Sequence, residues 1–467
     1  MKKYDVVVVG AGSGGLTSAI GFKNIGKSVL LVEREHMGGE CTNTGCIPSK
    51  ALLHRATDYH TALSVGGKTP ETDAFRDETF KYIQDTIDGI LAHETVEQFE
   101  EKGIDVVMGE AKFTSPSSMR VGDREYSFDT SVIATGSSPR MIDIDGLDEE
   151  YILTNQNVFT QDSIPKKLLV IGSGPIGMEL GQAFAMLGSN VTIATRDDRF
   201  ARLEDPSISE VIEKRFKDLG INIILNSSVT SVSGNTATVA VEDKEQAVEF
   251  DKVLVAIGRV PNIPEGLDLA NVKTTKHGIE INKHFQTSNK NIFAVGDVSL
   301  RLKFTHTADD AARHVVKRSL LKVLPLTSQT SREVPKVTYT RPSIAAVGLS
   351  YDKAVEKYGE HKILKLEAPY SENDRAITDG ATEYGHAVVI VKKLSGKILG
   401  ANIIGQSSGE ILSLFTLAIE DGISMWRLNK LIYPYPTISL IIKKISDKFL
   451  SYQLGHIKQD VLNYFKK

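Results

Sequence analysis

The stretch YDVVVVGAGSGGLTSAI, residues 4–20, decides the fold. Its four consecutive valines, residues 6–9, predict a parallel strand that is buried on both faces. Gly10, Gly12 and Gly15 follow with the spacing G-x-G-x-x-G, and the next residues are typical of a helix. A strand, a glycine turn and a helix in this order predict a βαβ unit that binds the pyrophosphate of a dinucleotide at the helix N-terminus.

A carboxylate at the end of the next strand supports this interpretation. SVLLVE predicts a second strand that ends at Glu33, which lies 23 residues after Gly10. An acid at this distance accepts hydrogen bonds from ribose hydroxyls, and its charge repels a 2′-phosphate. The alternative is a glycine-rich turn with a purely structural role.

Residues 166–199 repeat the plan. Strands are expected at 168–171 and 191–194, and the loop between the first strand and its helix carries the same glycine spacing, at Gly172, Gly174 and Gly177. We place Arg196 at the position of the ribose acid, where an arginine favours NADP(H) over NAD(H). Two aspartates follow it, so a solvated charged loop is the alternative.

Each unit closes with a similar segment, FDTSVIATGSSPR at 128–140 and FDKVLVAIGRVPN at 250–262. The first glycine of the loop and the glycine of this segment are 126 positions apart in the first unit, Gly10 to Gly136, and 86 in the second, Gly172 to Gly258. The extra 40 residues include GGECTNTGCIPSK, residues 38–50, which contains both cysteines of the chain. The sequence therefore predicts two nucleotide sites, with a sulfur-bearing insertion in the first.

The composition is that of an ordinary globular protein. Of the 467 residues, 41% are hydrophobic and 24% charged, and the net charge is −4. No basic excess points to nucleic acid or to an anionic membrane. Two cysteines cannot form the disulfide framework of a secreted domain, and no apolar run is long enough to span a bilayer. We expect a cytoplasmic protein.

The cysteine pair has three interpretations. An i, i+5 pair in a straight helix is separated by a rise of about 7.5 Å, beyond the Cα separation of about 6.8 Å that a disulfide allows. We therefore expect Cys41 in an irregular turn and Cys46 at the start of a helix, where a thiolate is favoured. The pair is then a redox disulfide. The alternatives are two buried structural cysteines, or a metal cluster with His36 and His54.

The cysteine segment, the two glycine loops, ATG, AIGRVPN and IFAVGDV together resemble the class I flavin disulfide reductases over essentially the whole chain. This family includes dihydrolipoyl dehydrogenase, glutathione reductase and mercuric reductase. The resemblance implies an α/β fold with two Rossmann-like dinucleotide-binding domains and a C-terminal α+β dimerisation domain that forms a homodimer. The expected limits are 1–150 with 269–332 for FAD, 151–268 for NAD(P), and 333–467 for the interface, with linkers near 142–150, 260–268 and 324–336.

The resemblance also implies roles for residues that match the family pattern. Cys46 would face the flavin, Cys41 would meet the substrate, and Lys50 would lie by the flavin N5 and pair with Glu179 near the nicotinamide. Residues expected to bind FAD are Gly10, Gly12, Gly15, Glu33, Lys50, Ala111, Thr135, Gly136 and Asp297. Residues expected to bind the nicotinamide cofactor are Gly172, Gly174, Gly177, Arg196 and Gly258.

One family feature is replaced. Most members carry a histidine and a glutamate in a segment H-P-T-x-S-E, supplied by the partner subunit. Here the segment is YPTISL, so Tyr435 stands for the histidine and Leu440 for the glutamate. A tyrosine, with an ordinary pKa near 10, is a poor acid–base at neutral pH. This weakens the case for ordinary dithiol–disulfide exchange.

The predicted function is an FAD-dependent NAD(P)H oxidoreductase that passes electrons through Cys41 and Cys46 to a small acceptor, a thiol/disulfide or a soft metal. Mercuric reductase has a tyrosine at the same place, but it also uses a C-terminal cysteine pair, and this chain has no cysteine after Cys46. The alternatives are NAD-linked dihydrolipoyl dehydrogenase, a non-catalytic redox-sensing flavoprotein, and a flavin monooxygenase. The tail, residues 441–467, predicts an amphipathic helix that packs on the dimer in preference to a membrane surface.

Overall fold

A computed structural model describes residues 1–66, 72–321 and 333–464. Its α-helices are α1 (Ser13–Asn24), α2 (Gly39–Asn43), α3 (Cys46–Ser64), α4 (Thr72–Leu91), α5 (Val96–Glu101), α6 (Pro175–Met186), α7 (Pro206–Asp218), α8 (Thr305–Leu320), α9 (Tyr351–Tyr358), α10 (Asp374–Thr378), α11 (Ser408–Glu420), α12 (Met425–Asn429) and α13 (Leu440–Tyr464). Its strands are β1 (Lys2–Val9), β2 (Val29–Glu33), β3 (Asp105–Met108), β4 (Ala111–Ser115), β5 (Ser118–Val121), β6 (Arg124–Ile133), β7 (Ser137–Pro139), β8 (Ile152–Leu153), β9 (Lys167–Ile171), β10 (Asn190–Ala194), β11 (Asn222–Ile224), β12 (Ser227–Ser233), β13 (Thr236–Val241), β14 (Lys244–Glu249), β15 (Lys252–Val255), β16 (Arg259–Pro261), β17 (Thr274–Thr275), β18 (Gly278–Ile279), β19 (Ile292–Ala294), β20 (Lys336–Thr338), β21 (Ile344–Gly348), β22 (Ile363–Pro369), β23 (His386–Lys392) and β24 (Ile398–Ile404).

The first sheet is built on β1, the valine strand. Its order is β3-β2-β1-β6-β5-β4, and β19 also pairs with β6. β1 runs parallel to β2 and β6, and its valines are buried on both faces, as is typical of a parallel sheet. β4 and β5 extend the sheet antiparallel beyond β6, one face of the sheet is covered by α1 and α8, and the other packs with Leu267, Ala270 and Ile279. β19, which follows the second unit in sequence, thus completes this sheet.

The second sheet repeats the arrangement around β9, with the parallel order β11-β10-β9-β15-β8. α6 begins at Pro175, where a fixed φ and a missing N–H suit the first helical turn. In both sheets the strand order reverses at the central strand. Such a switch point leaves a crevice at the carboxyl ends of the strands, where ligands of α/β proteins bind.

The C-terminal part forms an antiparallel sheet with the order β20-β21-β24-β23-β22, on which α11 and α13 pack. α13 buries Ile441, Ile445 and Phe449 against this sheet, so the described part of the predicted tail is mainly a packing helix. Within the described ranges, no helix is both long and apolar enough to cross a bilayer.

The mixed α/β fold agrees with the prediction, while the domain limits stay a prediction. Residues 142–144 have no helix or strand, but 260–268 begins inside β16, which pairs with β7 as a short ribbon between the two units. The linker expected at 324–336 lies mostly outside the described residues.

Candidate active site

A cavity of about 2560 Å³ runs between the two glycine loops and reaches both cysteines. Most of the predicted site residues line it. They are Gly10, Gly12, Glu33, Cys41, Cys46, Lys50, Ala111, Thr135, Gly136, Gly172, Gly174, Glu179, Arg196, Gly258 and Asp297. The cavity is larger than the pockets of about 300–1,000 Å³ that hold one drug-sized ligand. It therefore has room for two extended cofactors.

The first glycine loop is tightly packed at two positions and open at the third. A Cβ on Gly15 would lie 1.8 Å from the Gly10 carbonyl oxygen, so only glycine allows α1 to approach β1. Gly10 itself has φ +102°. At Gly12 the nearest atom to an added Cβ is 3.8 Å away, and the space opens into the cavity. The loop thus offers bare backbone to a ligand at the N-terminus of α1, as a pyrophosphate requires.

The Glu33 carboxylate is already oriented. One of its oxygens accepts a hydrogen bond from the Ala11 N–H at 2.6 Å, and the other accepts one from the Glu35 N–H at 2.8 Å. Each carboxylate oxygen has a second lone pair free for a ribose hydroxyl. Backbone groups on both sides therefore fix the acid beside the glycine loop.

The second loop has the same geometry. A Cβ on Gly177 would lie 2.1 Å from the Gly172 oxygen, whereas nothing lies within 4 Å of one on Gly174. The strand register, however, corrects the sequence-based placement of Arg196. β1 pairs Val9 with Val32, and β9 pairs Ile171 with Ala194. The residue equivalent to Glu33 is therefore Thr195.

Arg196 lies one position after the equivalent of the ribose acid, exposed and on the cavity wall. The Thr195 hydroxyl is 3.0 Å from that of Ser173 in the glycine loop, and the Ser173 hydroxyl donates to the Asp197 carboxylate at 3.2 Å. Asp197 is also 3.7 Å from the Arg202 guanidinium. The negative charge of Asp197, which weakened the NADP(H) interpretation, is thus partly neutralised by Arg202.

The middle of the cavity is lined by the residues expected beside the centre of FAD. Ser137 donates to the Asp297 carboxylate at 2.6 Å, and Asp297 lies in a 3₁₀ turn, Gly296–Val298, directly after β19. The Thr135 hydroxyl donates to the Asn262 carbonyl at 2.6 Å. Gly136 and Gly258 have positive φ with open space where a side chain would be.

The cysteine segment differs in one respect from its prediction. Cys41 lies within the short helix α2 and not in an irregular turn, while Cys46 begins α3 as expected. Gly45 connects the two helices, and a Cβ there would lie 2.9 Å from the Glu40 oxygen and 3.0 Å from the Cys41 Cα. The break at this glycine folds α2 back on α3, so the two sulfurs meet although a continuous helix would separate them.

The pKa values of the two thiols are shifted in opposite directions. A hydrogen bond from Cys41, the positive charge of Lys50 and the hydroxyl of Thr305 lower the pKa of Cys46 to about 6. The hydrogen bond to Cys46 and burial raise the pKa of Cys41. At neutral pH the reduced pair therefore holds its negative charge on Cys46 and its proton on Cys41.

Lys50 and Glu179 form an ion pair of 2.5 Å between α3 and α6, and the side chain of Glu179 is 7% exposed. The second Glu179 oxygen accepts from the Tyr339 N–H at 2.8 Å, and the Lys50 ammonium lies 4.6 Å from the centre of the Tyr339 ring. The structure thus brings together the predicted pair. It adds Tyr339, which sequence reasoning missed because this residue follows β20 in the C-terminal part.

A second missed group surrounds Glu40, the residue before Cys41. Its carboxylate accepts from Asn155 and from Arg259, and Arg259 also donates to the Ser137 hydroxyl at 2.8 Å. Arg259 belongs to the GRVPN segment, so its place beside a repeated motif was the available signal.

Tyr435 is not brought to the cysteines within the chain. Its side chain is 72% exposed, and a hydrogen bond to the Asp374 carboxylate raises its pKa. Leu440 begins α13 on the same part of the fold. His36 and His54 line the cavity, but across the described ranges no three His, Cys, Asp or Glu side chains are grouped to hold a metal ion.

The chain matches two known families. Residues 4–312 match the family described as pyridine nucleotide-disulphide oxidoreductase, and residues 334–445 match its dimerisation domain. The sequence is 34% identical to a mercuric reductase of Staphylococcus aureus over 446 residues, 93% of this chain and 80% of that protein. It is 31% identical to a dihydrolipoyl dehydrogenase of Mycoplasma pneumoniae over 470 residues, 96% of this chain and 98% of that protein.

The solved structures similar to this chain also include a flavoprotein disulfide reductase. The HOCl-induced flavoprotein disulfide reductase RclA from Escherichia coli superposes with a TM-score of 0.84 at 26% identity, covering 95% of this chain and 99% of that one. Its Cu(II) complex gives 0.85, covering 96% and 100%. The open backbone at Gly12 and the fixed Glu33 carboxylate fit the adenosine half of FAD. This chain belongs to the FAD-dependent pyridine nucleotide-disulphide oxidoreductase family, whose dimerisation domain supports a homodimer.

Proposed function

We propose that this protein is an NADPH-linked reductase that delivers electron pairs through Cys41 and Cys46 to a soft metal ion. The observation that carries the proposal is the cysteine pair itself: two adjacent sulfurs face an open cavity, and the pKa of one of them is lowered to about 6. The similarity to mercuric reductases and to the protein crystallised as a Cu(II) complex supports a metal acceptor.

The residues around the cysteine pair have separate roles in this proposed reaction. Bound FAD supplies the carrier of the electron pair. Lys50, held by Glu179 and the Tyr339 ring, places a fixed positive charge beside Cys46. Overall, a hydride from NADPH breaks the Cys41–Cys46 bond. Its two electrons leave one thiolate and one thiol, and its proton stays on the thiol. Cys41 then meets the acceptor, and transfer of the two electrons to one Hg(II) or to two Cu(II) ions re-forms the Cys41–Cys46 bond and releases the thiol proton to solvent.

The replaced dyad favours a metal over a disulfide. A leaving thiolate needs a proton donor matched to neutral pH, and Tyr435 and Leu440 cannot provide the His–Glu pair that performs this role in the family. A soft metal ion binds to thiolates, and its reduction cleaves no S–S bond of the acceptor, so no disulfide leaving group has to be protonated. We propose that the partner subunit's Tyr435 faces Cys41 across the homodimer.

The preference for NADPH is proposed from the cavity wall. Thr195 replaces the ribose acid and brings no negative charge, while Arg196 follows it, exposed to the same cavity. A guanidinium is well suited to a 2′-phosphate because it donates two parallel hydrogen bonds.

An anaerobic acceptor panel tests the proposal. NADPH oxidation is followed with thiol-complexed Hg(II), with Cu(II), with lipoamide and with glutathione disulfide, and the Cys41→Ser/Cys46→Ser double variant measures reduction that bypasses the cysteines. We expect metal-dependent turnover that is lost in the double variant. Faster turnover of lipoamide than of either metal would instead identify a dihydrolipoyl dehydrogenase. No turnover with any acceptor would favour a redox sensor.

A further inference from the structure

Thr305, the first residue of α8, contacts both sulfurs of the redox pair. Its hydroxyl oxygen lies 2.8 Å from the Cys41 sulfur and 3.9 Å from the Cys46 sulfur. The backbone around it is anchored, because the Ser13 hydroxyl donates to the Thr305 carbonyl and the Thr307 hydroxyl accepts from the Phe304 N–H. The hydroxyl is therefore held in place by the N-terminal turn of the helix.

Among the described residues, few polar side chains reach the Cys41 sulfur. In the parts of the chain that the structure describes, Thr305 and Cys46 are the side chains recorded in hydrogen bonds with the Cys41 sulfur. Tyr435 points to Asp374 instead. The sequence also lacks the histidine that most relatives place opposite the substrate-side sulfur. Besides Cys46, the partner that the described residues of the same chain give the Cys41 sulfur is thus a neutral hydroxyl.

A threonine hydroxyl cannot act as an acid or base at neutral pH, but it donates one strong hydrogen bond to a sulfur that carries charge. Opening of the disulfide leaves two sulfurs and one proton between them. When Cys41 passes its proton on and reacts, the hydrogen bond that it donated to the Cys46 sulfur is lost. The Thr305 O–H, at 2.8 Å, is the donor that stays.

We propose that Thr305 is a catalytic residue, which donates a hydrogen bond to the Cys41 sulfur and holds that sulfur reactive and directed toward the acceptor. The inference rests on the proposed redox role of the two cysteines and not on which acceptor is used. Thr305, at the start of α8, would then stabilise the charged Cys41 sulfur, which Tyr435 and Leu440 of the same chain do not contact.

The test measures the thiols directly. Thr305→Val keeps the shape and removes the donor, Thr305→Ser keeps the donor, and Thr17→Val removes a nearby hydroxyl that instead donates to Asp309 at 2.7 Å. The NADPH-reduced holoenzyme is treated with iodoacetamide, and fragment-ion mass spectrometry assigns the label to Cys41 or Cys46. We expect alkylation of Cys41 to slow roughly tenfold in Thr305→Val and to stay within about twofold in the other two variants.

A second measurement uses equilibrium with a glutathione buffer. Because the hydroxyl stabilises the reduced pair, Thr305→Val should shift the dithiol–disulfide constant toward the disulfide by about tenfold, equivalent to about 30 mV. Unchanged alkylation and an unchanged equilibrium in Thr305→Val would overturn the inference. If Thr305→Val does not fold, Thr305→Ala compared with Thr305→Ser decides the same question. Thiol effects without metal turnover would reject the proposed acceptor and leave the role of Thr305 intact.

Discussion

The two nucleotide-binding units share their backbone and differ in what they add to it. Gly10 and Gly172 have φ of +102° and +107°, and Gly15 and Gly177 meet the carbonyl oxygens of those residues in the same way. At the end of the second strand, however, the first unit carries Glu33 and the second carries Thr195. We propose that the shared glycines position a pyrophosphate in each unit and that the side chain at the end of the second strand selects the nucleotide.

The second difference is an insertion. The first unit places α2, α3, α4 and α5 between β2 and β3, whereas the second has α7 alone between β10 and β11. The inserted helices bring Cys41, Cys46 and Lys50 to the cavity. In the proposed function, the common plan thus serves a redox site in one copy and an electron-donor site in the other.

The largest loss of turnover is expected when the Cys46 sulfur, which carries the negative charge, is removed. Cys46→Ser should lower turnover by on the order of 1,000-fold or more, because the relay then lacks its thiolate. NADPH titration of the purified flavoprotein should also lose the long-wavelength thiolate-to-flavin absorption. Cys41→Ser is the matched control, since it should retain this absorption while losing turnover.

The paired glycines separate the two units. Gly15→Ala should prevent FAD from binding, because its Cβ would lie 1.8 Å from a backbone oxygen. Gly177→Ala, with a distance of 2.1 Å, should keep FAD and weaken NADPH by at least about 100-fold. Flavin absorbance and NADPH titration measure the two outcomes. Gly89→Ala, at an open position in the last turn of α4, should change neither, and loss of FAD in Gly177→Ala would show that the units are not independent.

The ion pair between the units should matter next. Glu179→Gln leaves the Lys50 ammonium without its 2.5 Å partner and should slow reduction of the flavin by NADPH by about 100-fold. Stopped-flow absorbance measures this step without any acceptor. Glu213→Gln, which alters an exposed pair on α7, serves as the control. Equal rates in both variants would show that the pair is only structural.

The end of the second strand should decide the nucleotide. Arg196→Ala should weaken NADPH by about tenfold and leave NADH nearly unchanged, because the lost contact concerns the 2′-phosphate alone. Thr195→Glu, which copies Glu33 into the second unit, should shift the preference toward NADH. Titration of each variant with both nucleotides gives the ratio, and an unchanged ratio would remove Arg196 from the site.

The smallest effect concerns pH. The pKa of Cys46 is lowered from 9.0 to about 6, so its thiolate persists at neutral pH and protonates as the pH falls through 6. Alkylation of Cys46 in the reduced protein should therefore fall by about half between pH 8 and pH 6. This shift stabilises the folded, reduced protein fully above about pH 9, and the stabilisation is lost as the pH falls through about 6. A midpoint near 9 would contradict the influence of Lys50 and Cys41.

Local patterns made much of this site predictable. The glycine loops, the start of α3 at Cys46 and the acid at Glu33 all depend on neighbours within one βαβ unit. Thr305 was missed because 264 residues separate it from Cys41, and no local pattern marks a hydroxyl as a sulfur partner. Arg196 was placed one residue off although the end of β10 at Ala194 was predicted, because Glu33 closes β2 itself and its equivalent is Thr195, the first residue after β10.

The carboxylate of Glu40 ties the redox segment to the second unit mechanically. Asn155 and Arg259 hold it from that unit, and the next residue along the chain is Cys41. A rigid-body tilt of the nicotinamide-binding part must either rupture this clamp or drag the sulfur with it. Since one peptide bond joins Glu40 to Cys41, a movement of the second unit would be felt at the sulfur that we propose meets the acceptor.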